Sequence, residues 1–103
     1  MTTQRVTNRK AADLIPMQKP FRNSTGSFWA VSGKDADNRT GQMPDDLASE
    51  YLGLFNWGFI DYVVYSYNTP IAWYCNRSGW NIPDQRYSVT TSGKHQSQLW
   101  KVK

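Results

Sequence analysis

Cys75 and His95 are the single cysteine and the single histidine of the chain, and together they bound the covalent and metal chemistry it could run. A thiol activated by an imidazole needs the two side chains to be neighbours in space, not in sequence. It also needs an orienting Asn or Asp and an electropositive setting, and the ordinary reading is a packed cysteine at the end of an aromatic stretch. One Cys and one His cannot supply a conventional zinc set. Asp45, Asp46 and Glu50 could share a helical surface, where paired carboxylates hold a proton or a cation. A helix start whose dipole favours negative charge explains the same three residues. No catalytic residue, metal or cofactor is expected from these sets.

Binding offers more. The string Ser92-Gly93-Lys94 has the outline of a phosphate loop, but such a loop needs a glycine where Ser88 stands and a hydroxyl where His95 stands. What survives is more general. A helix start bearing Thr90, Thr91 and Ser92, with Lys94 and His95 in its first turn, offers amides and positive charge to an anion, with ordinary capping as the alternative. Over residues 59–67 a strand would place Val63, Tyr65 and Tyr67 on one face and Ile60, Tyr62 and Val64 on the other. If a helix covers one face, the other is a tyrosine platform on which bases stack or a partner protein anchors; a strand buried on both sides is the third reading. Residues 65–70 and 90–96 are both rich in hydroxyl and amide groups. A sheet followed by a capped helix could join them as one polar patch, either a network that fixes the fold or a ligand surface. The candidate binding residues are Tyr65, Tyr67, Asn68, Thr69, Trp73, Thr90, Thr91, Ser92, Lys94, His95 and Gln96.

The elements that must position these groups follow from the residue pattern. Residues 1–22 are polar, basic and broken by Pro16 and Pro20, which predicts a flexible arm carrying Arg5, Arg9, Lys10, Lys19 and Arg22. A single domain over residues 23–103 follows it. Residues 27–32 read as a short strand and residues 33–41 as a charged loop. Pro44, Asp45 and Asp46 start a short helix with Leu47, Tyr51 and Leu54 on one face, weakened at Gly53. Residues 59–67 form the strongest strand, Asn68-Thr69-Pro70 turns the chain, and residues 71–75 are the partner strand. A hairpin loop at residues 76–79 leads to a third strand at 80–82, and residues 87–89 form a short edge strand before a C-terminal helix. The predicted class is α+β: an antiparallel meander of three to five short strands, packed by a short central helix and the C-terminal helix. The strands follow one another too closely for parallel crossovers.

At 103 residues the chain has room for one modest core, and fifteen aromatic residues mean that Trp, Tyr and Phe must build much of it. No run of about 18 apolar residues is present, and the polar start lacks the apolar stretch of a secretory signal. A cytoplasmic protein with no membrane partner is therefore expected. The net charge of +4 is unevenly spread: residues 1–22 and 85–103 each carry +4, and residues 23–84 carry −4. Basic ends suit a polyanion footprint, or simply a charged surface.

Two strings, Asp61-Tyr-Val-Val-Tyr-Ser-Tyr-Asn-Thr-Pro-Ile-Ala-Trp73 and Tyr87-Ser-Val-Thr-Thr-Ser-Gly-Lys-His-Gln96, with Gly79-Trp80 and Pro83-Asp84 between them, carry a resemblance. This part of the chain, roughly residues 59–98, resembles a family of small uncharacterised proteins encoded largely by actinobacterial phages. One departure is Gly93, since the relatives run from the serine straight to the basic residue and histidine. The resemblance implies a phage accessory protein acting in the host cytoplasm and brings no activity with it. The expected function is non-enzymatic binding of a macromolecule, with nucleic acid ahead because both ends are basic. The alternative is a module that binds a host or phage protein and inhibits or redirects it.

Overall fold

The run Ile60–Ser66, dense in β-branched and aromatic side chains, is the strand around which the rest is assembled. In the computed structural model, which describes residues 4–88 and 90–103, it is the fourth of six strands. These are β1 (Gln4–Arg5), β2 (Phe21–Arg22), β3 (Phe28–Ser32), β4 (Ile60–Ser66), β5 (Thr69–Cys75) and β6 (Gly79–Asn81). They lie side by side in chain order, with β1 and β2 parallel and every later pair antiparallel. The α+β class stands, while the predicted antiparallel meander of three to five strands is corrected to a mixed sheet of six. The parallel pair exists because α1 (Asn8–Leu14) carries the chain from β1 back to the start of β2.

Residues 1–22, expected as a flexible or loosely docked arm, form β1, α1 and β2 over their described part. Ala11, Leu14 and Ile15 are buried against Phe21, Phe28 and Leu99. This face is easily missed because alanine contributes little hydropathy, yet its small side chain lets the helix sit close to the sheet. The Thr7 hydroxyl accepts from the Lys10 amide at 3.1 Å and caps α1. The Tyr62 hydroxyl then donates to the Lys19 carbonyl at 2.7 Å, tying the loop after α1 to β4.

Alternation along β4 splits the core into two layers. Tyr62 and Val64 pack on the α1 side, and Val63 and Tyr65 pack with Tyr51 and Trp73 on the side of α2 (Asp45–Asn56). A register irregularity between Ile60 and Tyr62 moves Ile60 to the α2 side, against the simple alternation predicted for it. β4 is therefore buried on both sides. Tyr65 and Trp73, each 1% exposed, are core residues and not parts of an open stacking platform. Leu47, Tyr51 and Leu54 form the inner face of α2 as their spacing predicts, and the helix runs past Gly53 to Asn56.

The turn between β4 and β5 comes earlier than predicted. Ser66 pairs with Thr69 around a two-residue loop of Tyr67 and Asn68, and Pro70 lies inside β5 opposite Tyr65. Proline is tolerated there because β6 pairs only with Trp73, Tyr74 and Cys75, leaving that end of β5 an outer edge. No strand forms over residues 82–88, so the edge strand predicted at 87–89 is missing at Tyr87 and Ser88, and Val89 lies outside the described residues. The predicted C-terminal helix is a π turn, Thr91–His95, followed by a 3-10 turn, Gln96–Leu99. Ser, Thr and Gly dominate this segment and compete with regular helical bonding, as when the Ser97 hydroxyl donates to the Gly93 carbonyl at 2.7 Å. Leu99 nonetheless reaches the α1-side core.

Candidate functional site

Ser66 closes β4 on the α1 side of the sheet, and the turn Thr91–His95 packs against it. The Ser66 hydroxyl lies 2.6 Å from His95 Nδ1 and 2.8 Å from Thr91 Oγ1, and the Ser88 hydroxyl donates to Thr91 Oγ1 at 3.1 Å. The Ser66 hydroxyl thus bridges Thr91 and His95, and which group donates in each of its two bonds follows the tautomer of His95. His95 is 1% exposed, stacks on Phe28 with centroids 4.7 Å apart and lies 5.8 Å from the Tyr67 ring. Burial, with the charge of Lys94 adding to it, lowers the imidazole pKa below the ordinary value and keeps the ring neutral.

A hydroxyl beside an imidazole is the geometry of a nucleophile and its base. Here Ser66 is 1% exposed, and no carboxylate among the described residues hydrogen-bonds to His95. The group reads as a closed hydrogen-bond chain that pins the C-terminal turn to the sheet. Cys75 does not join it. It is buried opposite Ile60, at the other end of the β4–β5 hairpin from Ser66.

The two polar segments meet only in part. Thr91 and His95 face Ser66, but Ser92 and Gln96 face away: both line a cavity of about 550 Å³ beside residues 80–86, and Gln96 Nε2 donates to the Gln85 carbonyl at 2.7 Å. Lys94 is exposed, and Thr90 has helical dihedrals without capping anything. At this turn the Thr91 amide donates to Ser88 Oγ at 3.1 Å and the Ser92 amide to the Ser88 carbonyl at 2.9 Å. Those donors are occupied.

What the hairpin tip does form is a cleft of about 190 Å³ whose lining includes Gln42, Tyr67, Asn68, Thr69, Tyr87 and Ser88. Gly41 seats the loop on the tip, with φ +53° and so little room that a β-carbon would strike the Thr69 hydroxyl and the Asn68 carbonyl. The Gln42 amide donates to Thr69 Oγ1 at 2.9 Å.

A second feature lies on the α2 face. Strand register aligns Arg5, Arg22, Trp29 and Tyr65 in one row across β1 to β4. The core beneath α2 ends at Trp29 and Val31; β1 and β2 contribute nothing to it. Beyond that limit Arg5, Arg22, Trp29, Val31 and Arg39 line an open groove of about 640 Å³. The Trp29 indole stacks on Tyr65 with centroids 4.7 Å apart, and the Arg39 guanidinium sits 5.4 Å from one ring centroid and 5.8 Å from the other. Arg39 is held by Asp37 at 2.7 Å, and its hydrogen bonds keep that carboxyl below the usual carboxylate range. Its Nη1 donates to Asn68 Oδ1 at 3.0 Å, linking groove and cleft. Among the described residues neither Arg5 nor Arg22 is in an ion pair, and no carboxylate lines the groove.

The basic residues of the N-terminal segment therefore separate. Arg5 and Arg22 reach the groove, whereas Arg9 and Lys10 sit exposed on α1 over the other face, Lys10 lying 3.8 Å from Asp13. Lys19 is exposed beside the segment held by Tyr62. Trp29, Arg39 and Gln42 escape sequence reasoning. Alternation within residues 27–32, with Phe28 and Ala30 inward, marks Trp29; nothing in the sequence brings Arg39 or Gln42 to their places.

Among the described residues no group of three or more His, Cys, Asp and Glu side chains is placed to hold a metal ion, and no helix is long and apolar enough to cross a membrane. The model of a family of unknown function, DUF8033, matches residues 1–102. The chain belongs to DUF8033. Comparison with curated proteins and with solved structures gives no match to either. The DUF8033 match takes in the groove residues of β1 to β3 as well as the hairpin-tip cleft, well beyond the two motifs at residues 61–73 and 87–96.

Proposed function

We propose that this DUF8033 protein is a small non-enzymatic accessory protein, of phage origin as its two motifs suggest, that binds single-stranded nucleic acid in the cytoplasm of a host cell. The observation that carries the reading is the register row Arg5, Arg22, Trp29, in which two arginines without ion-pair partners among the described residues stand beside a half-buried indole in an open groove. Cations that track phosphates beside an aromatic face that takes an unstacked base are the two parts of a single-strand site. A duplex keeps its bases stacked and offers Trp29 nothing.

Phosphate contacts release counterions, so affinity must fall with salt in proportion to the charges engaged. Arg5 and Arg22 are engaged in full and Arg39 in part, because Asp37 already holds it. For a short single-stranded oligonucleotide the slope of log K against log salt should lie between roughly −1.4 and −2.1, from about −0.7 per phosphate neutralised. Fluorescence anisotropy across a salt series measures it. Binding that ignores salt, or none at low salt, contradicts the proposal and turns attention to a protein partner. That second reading draws on Trp57 and Trp100, 77% and 63% exposed, since exposed tryptophans are common anchors of protein interfaces.

A further inference from the structure

We infer that the cleft at the tip of the β4–β5 hairpin takes one pyrimidine base of the bound strand and gives the protein a base preference. The inference rests on the nucleic-acid reading of the groove. Four observations carry it. First, Arg39 lines the groove and bonds to Asn68 in the cleft, so a strand leaving the groove meets the cleft directly. Second, Tyr67 stands at φ +56°, left-handed backbone that a bulky residue rarely adopts, at the first position of a two-residue hairpin loop where glycine is the ordinary choice. The strain holds a 51% exposed phenol ring at the cleft, and strained backbone of this kind gathers where function needs a side chain placed.

Third, Asn68 Oδ1 is taken by Arg39, but among the described residues its Nδ2 and the Gln42 side-chain amide make no hydrogen bond. Two amides with unspent donors lie where the edge of a base would be read, and the carbonyls of a pyrimidine are acceptors for them. Fourth, about 190 Å³ is well under the roughly 300 Å³ at which pockets for drug-sized ligands begin. It suits one small planar polar group such as a single base, and the choice of a pyrimidine rests on its carbonyls as partners for the two amides.

The test compares oligo-dT and oligo-dA of equal length by anisotropy, using the full chain and the variants Tyr67→Gly and Asn68→Ala. The native chain should prefer oligo-dT by roughly tenfold, the size expected of one well-read base. Tyr67→Gly replaces a strained residue with the one the turn favours, so it should melt no lower than the native chain while losing the preference. Asn68→Ala should lose it too; Tyr67→Gly, which touches no groove residue, should keep the native salt slope, whereas Asn68→Ala also releases Arg39 Nη1. Equal binding of the two oligonucleotides by the native chain, or a preference that survives both substitutions, overturns the inference and leaves the groove standing if salt dependence remains. Absence of binding to either oligonucleotide at low salt overturns the groove and the inference together.

Discussion

Replacing His95 with alanine should lower the unfolding free energy by about 3 kcal/mol or more, a large share of the roughly 5 to 15 kcal/mol that holds such a domain together. Two losses add. The imidazole is fully buried and stacked on Phe28, so its removal leaves a cavity beside a core ring. Its hydrogen bond to the buried Ser66 hydroxyl is lost as well, leaving that group with Thr91 alone, at a further cost of roughly 0.5–1.5 kcal/mol. His95→Phe keeps the stacking and isolates the second loss.

The same residue fixes a pH dependence. The folded-state pKa of His95 is depressed, so as acid is added the unfolded chain takes up the proton first. Stability contributed by the neutral ring is complete above the unfolded value of about 6.5 and is lost as pH falls from there toward the folded value. His95 is the single histidine, and the carboxyls of Asp13 and Asp37 are lowered from an already acidic value. Denaturant midpoints between pH 7.5 and 5.5 should therefore fall for the native chain and stay level for His95→Phe. An equal fall in both would mean that the histidine does not govern this window.

Reversing the charge at Arg22 should cost the largest share of binding. Arg22 is exposed at the surface of β2, so Arg22→Glu should change stability by no more than about 0.5 kcal/mol. It removes one of the two groove cations that make no ion pair among the described residues and sets a carboxylate against the phosphates, beside Arg5 on one side and Trp29 on the other. Affinity at low salt should fall on the order of tenfold or more, and the salt slope should shrink by about one charge equivalent. Arg9→Glu, on the opposite face, is the control and should bind almost as the native chain does. If the two reversals weaken binding equally, the charge of the segment acts as a whole and the groove has no special role.

Much of the sheet was legible because β4, β5 and β6 are built from residues that prefer strands, and α2 because its apolar spacing and first-turn acids agree. The N-terminal half of the architecture was hidden for a physical reason. Ala11 and Ala12 carry almost no hydropathic signal, and β1 and β2 have two residues each, too few to show a period. The C-terminal turns misled in the other direction, since Thr90, Thr91 and Ser92 look like caps while the capping atom is Ser88 Oγ, before them in the chain. At the candidate site, the polar segments at 65–70 and 90–96 do meet through Ser66, Thr91 and His95, as their shared chemistry suggested. Their other members, Ser92 and Gln96, turn away because each follows Thr91 or His95 by one position, about 100° round the helical turn. The groove needed Arg39 to fold back across Trp29 from a distant loop, and only tertiary structure supplies that.

Five tryptophans make the central proposal directly observable, because each gives its own indole N–H signal in a ¹⁵N-labelled sample. Titrated with a single-stranded oligonucleotide at low salt, the Trp29 signal, assigned by Trp29→Phe, should move first and furthest. Trp73 in the core and Trp57 and Trp100 on other surfaces should stay in place. Movement of Trp57 or Trp100 with Trp29 unchanged, or no movement at all, would contradict a nucleic-acid site on the β1–β3 face.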